Sequence, residues 1–183
     1  MPHIKLGNDD YGIRSLFMYR PETAHPMRLL AETLLRGPST LSRGERELIA
    51  TYVSSLNGCG YCTASHAAAA SVQLPEGMPL VDQVCAAPAT APVTPKLAAL
   101  LRIAGAVQQG GKEVRTEDVE SAREAGATDL EIHDTVLIAA AFCMFNRYVD
   151  GLATSPRPDP AAYATAAQAV VRDGYLGATR QPA

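Results

Sequence analysis

The sequence predicts an all-α protein, and three observations support this fold class. Alanine, the strongest helix former, is concentrated in three segments, at 67–70, 139–141 and 161–169. Aromatic residues make up only 5% of the 183 residues, and no run of alternating β-branched residues typical of a strand occurs in the sequence. Capping residues and helix-ending glycines also recur along the chain at helical lengths.

Two helices are predicted in the first third of the chain, after an irregular opening segment. Pro26 begins the first helix, which has apolar residues at helical spacing and ends at residues 37–38, a Gly-Pro pair. Ser42 and Glu45 have the spacing of a capping box, so the second helix begins between them. The Asn-Gly pair at 57–58 ends it.

The middle of the chain is predicted to contain two helices separated by a loop. The first runs from about Gly60 to Val72 and includes an alanine tract. Five prolines between residues 73 and 95 predict a loop with one short turn around 81–85. Thr94 then caps a helix that ends near Gln108.

Three further helices are predicted toward the C-terminus, covering 116–124, about 128–150 and 160–172. The longest begins with a capping-box pair, Thr128 and Glu131. Its middle, Val136 to Phe145, is apolar on every side, which predicts a buried central helix. The residues after Arg172 are predicted to form a loose tail.

Composition and charge restrict the class of protein. Apolar residues at 47% and charged residues at 19% are typical of a globular chain, and no linker-like segment divides residues 1–183, so one domain is expected. A net charge of −3 offers no basic surface for nucleic acid or an anionic membrane. The longest apolar run is about half of the roughly 20 residues that a membrane-spanning helix needs. Residues 1–10 lack a signal-peptide pattern, so a cytoplasmic protein is expected.

The chemistry is concentrated at the start of the third predicted helix. Cys59 and Cys62 are three residues apart and lie on one face of the helix start. The positive end of a helix and its unpaired N–H groups lower the pKa of a thiol there, which favours the nucleophilic thiolate. His66 lies one turn after Cys62, where an imidazole can take up the thiol proton. Cys85 and Cys143 have no partner at useful spacing, and Cys143 is interpreted as a core residue.

Glu47 lies on the preceding helix, away from the apolar stripe of that helix. If the two helices pack as a hairpin, its carboxylate can reach Cys59 and act as a proton relay. Each of these residues also has a purely structural interpretation. A C-x-x-C pair can be structural or bind a metal, and a single helical glutamate is usually solvated.

Glu47, Cys59, Cys62 and His66 are separated by eleven, two and three residues. At this pattern the sequence resembles the AhpD-type alkylhydroperoxidases of the carboxymuconolactone decarboxylase superfamily. The segments 56–62 and 145–152 are similar to the branch called peroxidase-related enzymes, and the resemblance extends over about residues 15–175. The chain departs from the best-studied branch at the residue before the second cysteine, where it has a tyrosine, number 61, instead of a histidine.

The resemblance implies an AhpD-like helical domain whose hairpin holds the site, assembled as a homo-trimer or homo-hexamer. It also implies a cofactor-free peroxidase in which Cys62 attacks the hydroperoxide substrate and Cys59 resolves the product into a disulfide. His66 and Glu47 then carry protons, and a separate thiol reductant reopens the disulfide.

Three other functions remain open from the sequence. One is the decarboxylase activity of the wider superfamily, which needs no redox thiols and against which the intact C-x-x-C pair argues. A second is a zinc site formed by Cys59, Cys62, His66 and Glu47, although the first three lie on one helix instead of joining separate segments. The third is a thiol–disulfide adaptor with little turnover.

Overall fold

The computed structural model describes residues 1–177. Within that range the protein consists of nine α-helices and one short 3₁₀ turn at Gly111–Glu113, without any strand, which confirms the all-α prediction. The helices in chain order are α1 (Gly12–Tyr19), α2 (Pro21–Arg36), α3 (Arg43–Leu56), α4 (Gly60–Ser71), α5 (Gly77–Ala86), α6 (Pro95–Gln109), α7 (Thr116–Glu124), α8 (Asp129–Gly151) and α9 (Ala161–Gly177). Across these residues, none of the helices combines the length and apolar character needed to span a bilayer.

Helix α3 lies at the centre of the molecule. It packs against α2, α4, α5, α6 and α8, and ten of its fourteen residues are buried. Its side chains Leu48, Ile49 and Val53 are fully enclosed in the main hydrophobic core, together with residues of α6 and α8. Because α3 is surrounded in this way, a polar side chain on it must find its hydrogen-bond partner inside the protein.

The α3–α4 hairpin follows the sequence signals closely. The Ser42 hydroxyl accepts from the Glu45 N–H at 3.1 Å, and the Glu45 carboxylate accepts from the Ser42 N–H at 2.7 Å, so the predicted capping box is confirmed. After α3 the chain reverses at Gly58, whose φ of +71° lies in the left-handed region that glycine adopts most readily. Three residues, 57–59, therefore join α3 to α4 and place the C-x-x-C pair at the start of α4.

Two other predicted caps are also confirmed. Thr94 accepts from the Leu97 N–H at 3.2 Å and begins α6. Thr128 and Glu131 form the second capping box, which begins α8.

The N-terminal prediction was wrong in two ways. The opening segment contains α1, and α2 begins at Pro21, so that Pro26 lies inside it. Pro21 occupies the first position of the helix, where a proline is acceptable, whereas Pro26 lies inside the helix and removes one of its backbone hydrogen bonds. The predicted loop at 73–95 likewise contains a ten-residue helix, α5, because Pro79 falls in its first turn, where no N–H donor is required.

Two predictions for the C-terminal part need correction as well. Helix α8 is not buried on every side, because one face exposes Leu130, Leu137 and Met144 to 56%, 37% and 46%. The tail after Arg172 is ordered as far as residue 177, with a kink at Gly174 where φ is +76°. Residues 178–183 of the predicted tail lie outside the described residues.

Candidate active site

The two cysteines of the C-x-x-C pair meet at the start of α4. Cys59 is the N-cap residue, and Cys62 lies in the first turn of the helix. Each of the two thiols shifts the pKa of the other. Cys59 is fully buried, whereas Cys62 keeps 4% of its surface exposed. Both thiols are free.

The two thiols differ in acidity. The pKa of Cys62 is lowered because it accepts a hydrogen bond from the Cys59 thiol, and the nearby His66 and a hydrogen bond from Asn146 add to this effect. The pKa of Cys59 is raised because its proton is held by Cys62, and burial and the Asp150 carboxylate act in the same direction. The first proton therefore leaves Cys62, and the cysteine that becomes a thiolate is the one with exposed surface.

Glu47, His66 and Tyr175 form a second hydrogen-bonded group beside the thiols. The His66 Nδ1–H donates to Glu47 Oε2 at 2.7 Å, and the Tyr175 hydroxyl donates to Glu47 Oε1 at 2.6 Å. The Tyr175 oxygen also lies 3.3 Å from His66 Nδ1. Burial and the adjacent carboxylate raise the pKa of Tyr175 well above its usual value, so its hydroxyl keeps its proton and remains a donor.

The Glu47 carboxylate does not contact the Cys59 thiol, although the sequence predicts this contact. Its carboxylate is 1% exposed and both oxygens are bonded, one to His66 and one to Tyr175. The carboxylate beside the Cys59 thiol belongs instead to Asp150, from α8. The prediction that Glu47 reaches Cys59 is therefore corrected, because the hairpin turns the glutamate toward the histidine side of α4. A carboxylate on Nδ1 fixes the tautomer of His66 and leaves Nε2 to exchange a proton.

A chain of hydrogen-bonded polar side chains, buried at Asn146 and Ser54 and half-buried at its other end, approaches Cys62 from the other side. Asn146, 1% exposed, donates to Ser54 Oγ at 3.1 Å, and its Oδ1 accepts from Asn57 Nδ2 at 2.8 Å. Gln108 in turn donates to Asn57 Oδ1 at 3.0 Å. The chain holds the Asn146 amide in a fixed orientation, so that its hydrogen bond to Cys62 favours the thiolate.

Sequence reasoning missed Asn146, Asp150 and Tyr175 as members of the site. The first two lie in the segment 145–152, which was recognised as similar to the family but was given no chemistry. A signal for Asn146 was present, because an amide directly after a ten-residue apolar run occupies a buried position and needs a partner. Tyr175 was assigned to the loose tail, and no local pattern relates it to the hairpin.

Two adjoining apolar cavities open onto this site. The smaller, of about 60 Å³, touches Cys62 and His66, and the larger, of about 150 Å³, touches His66 and extends toward α9. Both share five side chains besides His66, namely Ile13, Phe17, Arg28, Tyr61 and Tyr175. Tyr61 fits against Gly12, where a Cβ would lie 2.3 Å from the tyrosine ring. A small organic molecule can therefore reach the sulfur of Cys62 from an apolar chamber.

The predicted zinc alternative is not supported by the arrangement of donors. Within residues 1–177, no three side chains of His, Cys, Asp or Glu come together in a way that could hold a metal ion. Nδ1 of His66 is already committed to Glu47. The other two cysteines do not line either cavity at the site. Burial raises the pKa of Cys85, and Cys143 is a core residue that contacts Asn57.

Residues 21–74 match the sequence profile of the carboxymuconolactone decarboxylase family. This segment contains α2, α3 and α4, and with them Glu47, Cys59, Cys62 and His66. A search of the curated proteins finds no match.

Solved structures similar to this chain include two bacterial proteins described as peroxidase-related. An uncharacterised protein of Ralstonia eutropha JMP134, described as an alkylhydroperoxidase AhpD core, is 27% identical, with a TM-score of 0.75 over 83% of this chain and 78% of that one. An uncharacterised protein of Silicibacter sp. TM1040 is 28% identical, with the same TM-score and coverage. A third, from Agrobacterium tumefaciens and provisionally described as the antioxidant defence protein AhpD, is 20% identical with a TM-score of 0.68, covers 79% of this chain and 97% of its own, and shows the shared fold.

Proposed function

We propose that the chain is a member of the AhpD-type carboxymuconolactone decarboxylase superfamily, to whose profile and solved structures it is similar, and that it is a cofactor-free thiol peroxidase. It reduces organic hydroperoxides or hydrogen peroxide through a dithiol–disulfide cycle of Cys59 and Cys62. The observation that carries the proposal is the asymmetry of the two thiols: Cys62 has the lowered pKa and touches the apolar cavity, whereas Cys59 is fully buried behind it.

In the first step, Cys62 transfers its proton to His66 and attacks the terminal oxygen of the hydroperoxide. A sulfur–oxygen bond forms and the oxygen–oxygen bond breaks, which leaves a sulfenic acid on Cys62. The alkoxide that departs takes the proton from His66 and leaves as the alcohol. Glu47 accepts from Nδ1–H throughout this step, so it orients the imidazole and stabilises its charged form.

In the second step, the sulfur of Cys59 attacks the sulfur of the Cys62 sulfenic acid. The disulfide bond forms, the sulfur–oxygen bond breaks, and the oxygen leaves as water. The Asp150 carboxylate, which interacts with the Cys59 thiol, takes up the thiol proton and passes it to the leaving hydroxide, which departs as water. A separate dithiol then reduces the disulfide by exchange, beginning at Cys62, the sulfur that the cavity reaches.

Consumption of cumene hydroperoxide in the presence of a dithiol tests this function. The parent protein should consume it catalytically, Cys62→Ser should be inactive, and Cys85→Ser should keep the parent rate because its thiol lies outside the site. Cys59→Ser should lose turnover and accumulate sulfinic and sulfonic acids at Cys62, because no second thiol intercepts the sulfenic acid. A parent that consumes no hydroperoxide, or a Cys62→Ser protein that retains the parent rate, contradicts the proposal.

The proposed assembly is a homo-trimer or homo-hexamer. The exposed face of α8 supports it, since Leu130, Leu137 and Met144 are spaced by seven residues and form one apolar stripe along the helix. Light scattering coupled to size exclusion should give three or six times the mass of one chain. Leu137→Glu combined with Met144→Glu should shift that mass to the monomer while circular dichroism stays unchanged, and a monomeric parent contradicts the assembly.

A further inference from the structure

Three arginines line the cavity beside the proposed peroxidatic cysteine. Arg14, Arg28 and Arg157 all border the larger cavity, and Arg28 also borders the smaller one that reaches Cys62. The rest of the lining is mostly apolar and comes from α1, α4 and α9. Guanidinium groups placed around an apolar chamber are suited to a ligand that has both an apolar body and an anionic end.

The three guanidinium groups are held in place by neighbouring side chains. Arg14 Nε donates to both oxygens of Asp10, at 3.2 and 3.1 Å. Arg28 lies over the Phe17 ring at 4.9 Å from its centroid, and Arg157 lies 5.8 Å from the centroid of Tyr163. Arginines fixed on aromatic faces lose little further freedom when they bind an anion.

Arg157 also carries an unsatisfied donor. Its Nε is buried, and within residues 1–177 it has no hydrogen-bond partner. A buried donor without an acceptor costs free energy, which an incoming oxygen atom can recover. An anion at this end of the cavity supplies the acceptor that Arg157 Nε lacks.

We propose that the substrate is a small apolar hydroperoxide bearing a carboxylate, which binds Arg157 together with Arg14 and Arg28. This proposal rests on the proposed peroxidase function and adds the substrate class. The apolar body fills the chamber between Phe17, Tyr61 and α9, with the hydroperoxide directed toward Cys62 and the carboxylate toward the arginines. The larger cavity, about 150 Å³, has the size of an apolar cavity that holds one benzene ring. An aryl or short-chain acid therefore fits better than a long lipid.

A matched pair of substrates tests the carboxylate site. The acid is 4-(2-hydroperoxypropan-2-yl)benzoic acid, and its methyl ester has the same hydroperoxide without the charge. In the parent, kcat/KM for the acid should exceed that for the ester by about tenfold or more, since a charge-assisted hydrogen bond is roughly twice as strong as a neutral one. Arg157→Gln should lose most of this preference, whereas Arg157→Lys should retain part of it. Arg123→Gln, which changes an exposed arginine on α7, is the control.

A binding measurement separates this proposal from the peroxidase function. Cys62→Ser protein is titrated calorimetrically with 4-isopropylbenzoate and with 4-isopropylbenzamide, neither of which can react. Tighter binding of the acid, weakened by Arg157→Gln, supports the site even if no hydroperoxide is ever reduced, in which case only the peroxidase function fails. Equal binding of the acid and the amide, or equal kcat/KM for the acid and the ester in the parent, overturns the carboxylate site. Both comparisons use a protein with its arginines intact, so they remain decisive if an arginine variant does not fold.

Discussion

Two glutamates of this protein are buried to the same extent but have different surroundings. Glu47 and Glu131 are each 1% exposed, and each lies in a helix. Glu131 accepts from the Lys96 ammonium at 2.7 Å, from the Thr128 N–H at 2.8 Å and from the Thr40 hydroxyl at 2.8 Å. The partners of Glu47 are an imidazole and a phenol.

The two glutamates differ in whether their hydrogen-bond partners can exchange a proton with a reacting group. Burial alone would raise the pKa of Glu131, but the hydrogen bonds from Lys96, the Thr128 N–H and Thr40 outweigh it and lower the pKa to about 2. That carboxylate is a fixed anion that ties the start of α8 to α6. The imidazole beside Glu47 has a second ring nitrogen that can carry a proton to or from a reacting group, so this carboxylate can take part in proton transfer. The partners, more than the burial, distinguish a structural carboxylate from a functional one.

The largest expected effect is on turnover in Glu47→Gln. This change keeps the shape of the side chain but removes the negative charge next to His66. Acid–base groups contribute roughly 10²–10⁴-fold, so turnover should fall by at least about tenfold even if water replaces part of the proton transfer. Glu131→Gln should stay within about twofold of the parent, because the site does not contain it. Equal rates in Glu47→Gln and the parent would leave Glu47 a structural residue.

Glu131→Gln should destabilise the fold more than Glu47→Gln does, which is the opposite of their expected order of effect on turnover. Glu131→Gln retains a capping side chain but breaks the ion pair with Lys96, so the free energy of unfolding at pH 7 should drop by about 1–3 kcal/mol. Denaturant unfolding of the two glutamine variants and the parent measures this loss. The comparison fails if Glu47→Gln is the less stable of the two.

The stability contributed by Glu131 should also depend on pH. The pKa of Glu131 is about 2 in the folded protein, whereas in the unfolded chain it has its ordinary value of 4.5. The unfolded state therefore binds more protons between these values, and the contribution is complete above about pH 4.5 and lost as the pH falls toward 2. The stability difference between the parent and Glu131→Gln should narrow over this window. A difference that stays constant from pH 7 to pH 3 would contradict the fixed-anion interpretation.

A smaller effect is expected for Tyr175→Phe. It removes one hydrogen bond to Glu47 and leaves the ring in place, so turnover should fall about fivefold if a bond of about 1 kcal/mol acts on the reaction. Tyr19→Phe, at an exposed tyrosine, is the matched control and should have no effect. Gly174→Ala should lower turnover as Tyr175→Phe does, because the added Cβ would lie 2.6 Å from Glu32 Oε2, the oxygen that accepts the Tyr175 N–H. Full activity in Tyr175→Phe would exclude this residue from the site.

Structural features that depend on residues close together in the sequence could be predicted, whereas those that depend on residues far apart in the sequence could not. Helix starts at Ser42, Thr94 and Thr128 depend on side chains three residues away, so local patterns identify them. The hairpin that joins Glu47 to His66 spans nineteen residues and was anticipated once two helices were expected to pack together. Tyr175 is 128 residues from Glu47, and only the packing of α9 onto α4 brings it to the site.

Asn146 and Asp150 were missed for the same reason, since both approach the C-x-x-C pair from α8. The error about Glu47 has a related cause: sequence spacing placed it near the hairpin but did not determine which side of α4 it faces. The exposed apolar stripe on α8 was also not predicted, because the sequence alone does not distinguish an apolar residue of the core from an apolar residue on a surface that a partner covers.

A single turnover tests the central claim most directly. The reduced protein, with all four cysteines as thiols, receives one equivalent of cumene hydroperoxide without any reductant. Chromatography of the product should give one equivalent of alcohol per chain, and mass spectrometry should find a disulfide between Cys59 and Cys62 with Cys85 and Cys143 still reduced. Unreacted hydroperoxide, or oxidation located at Cys85 or Cys143, would contradict the account.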